Sequence, residues 1–74
     1  MKPGKAYKLA ALASAHRAKA IQLLEMGDGV GAKREDIAYL DCLGQIPSML
    51  RHRIGSFFED CLRIKLDLIR RGRA

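Results

Sequence analysis

The chain has 74 residues, a hydrophobic share of 49%, a net charge of +6 and a sequence pI near 9.8. That length allows one domain, of a size that buries only roughly 60% of its unfolded surface, and the apolar content excludes a disordered chain. No apolar run approaches the roughly 18 residues of a membrane span and no signal-peptide core precedes a cleavage site, so a cytoplasmic protein with no integral membrane association is expected.

Met1 to Gly4 reads as a short basic arm. From Lys5 to Met26 the residues are strong helix formers, dominated by Ala, Leu, Lys and Gln. At 100° per residue Leu9, Leu12, Ala13, His16, Ala20, Leu23 and Leu24 form one apolar stripe, the expected inner face. Ala11, Ala15 and Ala18 flank it and would let a second helix come close.

The "GDGVG" stretch at 27–31 ends this helix, with Gly27 suited to the left-handed C′ position. It is not a phosphate loop: Ala32 stands directly before Lys33, where a P-loop needs glycine, and no strand precedes it. Residues 27–34 are therefore expected to be a linker. Glu35 and Asp36 would open the next helix, where negative charge suits the macrodipole.

From residue 35 to 71 the apolar residues keep a heptad spacing. Leu40, Leu43, Pro47, Leu50, Ile54, Phe57, Cys61, Ile64 and Leu68 follow each other at intervals of three and four. The register carries through Pro47, and Ile46 is a poor N-cap for a new helix. The favoured reading is all-α: a helical hairpin whose long second helix is kinked near Gly44–Pro47. The alternative breaks the chain there into helices 34–45 and 47–71 and gives a three-helix bundle. A continuous second helix of about 35 residues would span ~50 Å against ~33 Å for the first. The uncovered remainder predicts a homodimer, a dimeric four-helix-type bundle. Its expected interface is Leu43, Met49, Leu50, Ile54, Phe57, Phe58, Cys61, Ile64 and Leu68. Glu59, Arg63 and Asp67, four apart, suggest ion pairs along the helix surface, and Arg70 and Arg71 complement its negative end.

Catalytic and metal patterns are missing from the sequence. His16 and His52 lie on different helices without a supporting nucleophile; His16 reads as a half-buried structural residue and His52, between two arginines, as a solvated one. Cys42 and Cys61 read as reduced residues of the apolar pattern. No cofactor, metal or enzymatic activity is expected.

Charge is more informative. Residues 1–24 carry five bases and no acid, residues 25–41 five acids and two bases, and residues 42–74 seven bases and three acids. Lys5 and Lys8 oppose the dipole of their own helix, at about 0.3–1 kcal/mol each, so helix stability does not account for them. Lys5, Lys8, Lys19, Arg51, Arg53, Arg70, Arg71 and Arg73 are the candidate nucleic-acid contacts, needing nothing beyond a cation facing phosphate. The expected function is a small dimeric protein that binds nucleic acid. The competing reading is an adaptor or inhibitor that docks its apolar seam, with Met49, Leu50, Phe57 and Phe58 as anchors, on an acidic or helical partner protein. A membrane-surface helix fits less well, because the bases are spread over several faces.

Overall fold

A computed structural model describes residues 1–72, and the fold is three packed helices: α1 (Pro3–Glu25), α2 (Gly29–Gly44) and α3 (Ser48–Gly72). The molecule is a slab of 37 × 24 × 15 Å. The long dimension matches α1, whose 23 residues span ~34 Å at 1.5 Å per residue.

α1 starts with Pro3 in the first turn, where the missing N–H would be unpaired in any case. It ends in a Schellman motif: the Asp28 N–H donates to the Leu23 carbonyl at 2.8 Å and the Gly27 N–H to Leu24 at 3.0 Å. Gly27 takes φ 83°, the left-handed value this closure requires. Asp28 then caps α2 itself, its carboxylate accepting from the Gly31 N–H at 2.9 Å. That carboxylate folds over Gly31 where a Cβ would sit, with Cγ 2.9 Å from the position of one.

One residue closing α1 and opening α2 shortens the connection to Met26–Asp28, in place of the expected 27–34 linker. Glu35 and Asp36 consequently fall in the middle of α2 instead of in its first turn.

The chain turns at Gln45–Pro47. The continuous kinked helix is replaced by the three-helix alternative, for a reason local to Pro47. A proline there has no N–H to give the Leu43 carbonyl in a continued helix. That carbonyl instead accepts from the Ile46 N–H at 3.0 Å and from the Arg51 guanidinium at 3.0 Å. The Pro47 carbonyl opens α3 by accepting from Leu50 and Arg51. Ile46, at 1% exposure the bulkiest fully buried side chain, plugs the turn into the core beside Ala6, Ala10 and Ile54.

α2 runs antiparallel to α1, and α3 returns parallel to it, with Tyr7 against Phe57 near one end and Glu25 near Arg70 at the other. α1 lies between them and packs on both. Its buried residues are Ala6, Ala10, Ala13, Ser14, Ala18 and Ala20, while Leu12 and Leu24 are more than half exposed. The expected leucine stripe is thus displaced toward the small side chains, which admit two helices at close range. Ser14, the one buried polar residue among those described, donates its hydroxyl to the Ala11 carbonyl at 2.7 Å.

Side chains add cross-ties. His16 meets Glu35 and Arg17 meets Asp36, both at 2.7 Å, joining α1 to α2. The Arg17 guanidinium also lies 5.9 Å from the Tyr39 ring centroid, and Tyr39 packs against Phe58 of α3 at 5.7 Å. No helix among the described residues is long and apolar enough to cross a membrane.

Candidate nucleic-acid interface

The cations singled out in the sequence fall into four groups. Lys5, Lys8 and Lys19 are exposed on α1, and at 100° per residue they share one outward arc with Leu12. The first turn of α1 has no acid, and Lys2 at its N-cap makes no side-chain cap. The positive end of the helix dipole therefore adds to the lysine charges there.

Arg53 stands near the start of α3. Because α1 and α3 run parallel, both helix N-termini open at the same end of the bundle, where Ala6 and Ala10 pack on Ile46 and Ile54. Lys5, Lys8 and Arg53 all lie in the first two turns of their helices, at this end of the bundle. Among the described residues none of the three makes an ion pair. Lys19 lies farther along the stripe, ~21 Å of helix rise from Lys5.

Arg51 belongs to a different task. Its Nε donates to the Ile46 carbonyl at 3.0 Å and its guanidinium to Leu43, both at the closing turn of α2. A cation on those carbonyls answers the negative end of α2. Its geometry is that of a structural cap, and its side chain remains exposed. Arg70 and Arg71 sit in the last turn of α3, the far end of the molecule, where Arg70 approaches Glu25 at 3.7 Å. Arg73 lies outside the described residues.

The expected interface residues divide as well. Ile54 is 3% exposed in the core, and Leu43 and Leu50 pack against it within the same chain. These three are intramolecular, because the turn at Pro47 brings α3 back onto α1. Phe57 is engaged edge-on with Tyr7 at 5.0 Å and 88°, and Phe58 with Tyr39. Cys61 is half-buried and free. Met49, Ile64 and Leu68 remain open to solvent at 85%, 56% and 60%. The expected ridge thus dips into the core near Ile54 and surfaces again toward both ends.

Two features were not singled out from the sequence. α2 has its own outward apolar residues, Val30 and Ile37, in addition to the seam residue Leu40. On α3, Leu62 and Leu66 line an open groove bordered by Glu59, Arg63, Asp67 and Arg70. The five apolar residues between Leu62 and Ile69 point around most of the helix, and the heptad count captured two of them.

Burial and the neighbouring Asp41 push the Cys42 thiol above its ordinary value, keeping it protonated. Comparison with known proteins gives no match to a family model, a curated protein or a solved structure.

Proposed function

We propose that the chain is a non-enzymatic, dimeric nucleic-acid-binding protein acting through contacts of Lys and Arg to phosphate. The observation that carries this reading is the placement of exposed Lys5, Lys8 and Arg53, without ion pairs among the described residues, at the end where α1 and α3 both begin. Their charges add to two helix dipoles of the same sign. Lys19 extends the contact along α1. Binding is driven by counterion release, with little dependence on base sequence.

The test is a titration of the full chain against duplex and single-stranded oligonucleotides at several salt concentrations. Lys5→Ala with Lys8→Ala and Arg53→Ala removes three phosphate contacts. The salt slope on duplex should flatten by roughly 2.7, at about 0.9 per contact, while the helical circular dichroism stays unchanged. Equal affinity of the triple variant and the parent chain at low salt would sink the reading.

A second reading, a protein adaptor or inhibitor, draws support from Met49, Ile64 and Leu68, large apolar side chains left open to water. An apolar contact of that kind responds little to salt, so the same titration separates the two.

A further inference from the structure

We infer that the Leu62–Leu66 groove of α3 is the docking face for a second copy of this chain, with the two α3 helices antiparallel about a two-fold axis between Arg63 and Leu66. This deepens the dimeric part of the reading above and stands apart from its nucleic-acid part.

The groove is an apolar strip of half-buried Leu62 and Leu66 flanked along one side by the charges of Glu59, Arg63, Asp67 and Arg70. The order of those charges along the helix is minus, plus, minus, plus. Reversing a copy against that order sets every charge opposite its complement. Glu59 meets Arg70 of the partner subunit and Arg63 meets Asp67 of the partner subunit, each twice by symmetry. The midpoints of these two pairs, and of Leu62 with Leu66, lie within half a residue of the point midway between positions 64 and 65. One axis therefore satisfies all three, placing leucine on leucine at the centre. A parallel copy would set like charge on like.

The neighbouring outward face of α3 lacks this property. Its exposed charges, Arg53, Asp60 and Arg71, run plus, minus, plus. Reversed on itself that order opposes like with like, so Ile64 and Leu68 there do not seat a second copy. Existing contacts leave the groove charges available. Arg63 leans to Asp60 at 3.1 Å and Arg70 to Glu25 at 3.7 Å, with side chains 73% and 60% exposed, and such exposed pairs exchange at little cost. Three turns of helix cover less than the roughly 800 Å² per partner of a standard interface. The association is therefore weak and concentration-dependent.

Reciprocal charge swaps test the geometry. Glu59→Lys alone sets two cations together twice in a homodimer, and Arg70→Glu alone sets two anions together twice. Each single variant should raise the dimer dissociation constant roughly tenfold or more in sedimentation equilibrium. An equimolar mixture of the two restores both contacts and should dimerise like the parent, as should the double variant. Circular dichroism monitors folding throughout. A parent chain that stays monomeric across the concentration series would overturn the inference. So would single variants that dimerise like the parent, or a mixture that fails to recover. Nucleic-acid binding is read separately by the salt titration, so failure of one claim does not mask failure of the other.

Discussion

Arg51 shows how one side chain changes its meaning once its neighbours are placed. In the sequence it is one of two arginines flanking a histidine, and phosphate is the natural partner for the pair. In the fold it satisfies the carbonyls of Leu43 and Ile46, which the turn at Pro47 leaves at a helix end. Arg51→Ala should lower stability by about 1 kcal/mol in urea titration, the lower range for a charged donor because the side chain is exposed. Arg53→Ala should leave stability unchanged. Ile46 carries more: replacing this fully buried side chain by alanine removes the plug of the turn, and Ile46→Ala should cost about 2–4 kcal/mol. Cys42 and Cys61 separate by access. Under native conditions near neutral pH a thiol reagent should label half-exposed Cys61 well before Cys42, which is 6% exposed and held as the thiol. Because the Cys42 value is raised in the fold, its effect on stability is absent below the ordinary thiol range. Above that range, rising pH destabilises the fold.

Among the elements, α1 is where sequence pattern and packing part company. Its helical character and its end at Gly27 were legible, because propensity and C′ glycine act locally. Its buried face was not, because a hydrophobic stripe ranks residues by affinity for oil and says nothing about how near a neighbour must come. Two helices packed on α1 need room, and alanine gives it. Ala10→Leu should therefore destabilise by about 1–3 kcal/mol through overpacking, whereas Leu12→Ala, at a site 51% exposed, should stay within about 0.5 kcal/mol. Equal effects at the two positions in urea titration would contradict this arrangement. The break at Pro47 was legible as one of two alternatives. Shared phase across it misled, because α2 supplies only Leu40 and Leu43 to the seam and Leu40 lies 62% exposed, off the core. The basic character of the N-terminal end was readable from charge counts. The capping contacts of Arg51 and the parallel return of α3 depended on tertiary placement, which spacing does not encode.

At the scale of the whole molecule, the core is thin. Its fully buried residues are mostly alanines, and Ile46 and Ile54 are its only bulky aliphatic members among those described as buried. In a chain this small the proposed association would supply much of the missing cohesion. The urea midpoint should accordingly rise with protein concentration, as linkage between folding and dimerisation requires, and it should not do so for Glu59→Lys. The central place of α1 has a further consequence for how the chain is built. α2 and α3 each rest on α1 and meet one another through Tyr39 and Phe58. The first helix is the keel to which two planks are fastened, and it leaves the ribosome before either of them. A fragment starting at residue 27 should scatter into coil, whereas one ending at residue 44 keeps its keel and one plank and should hold measurable helix.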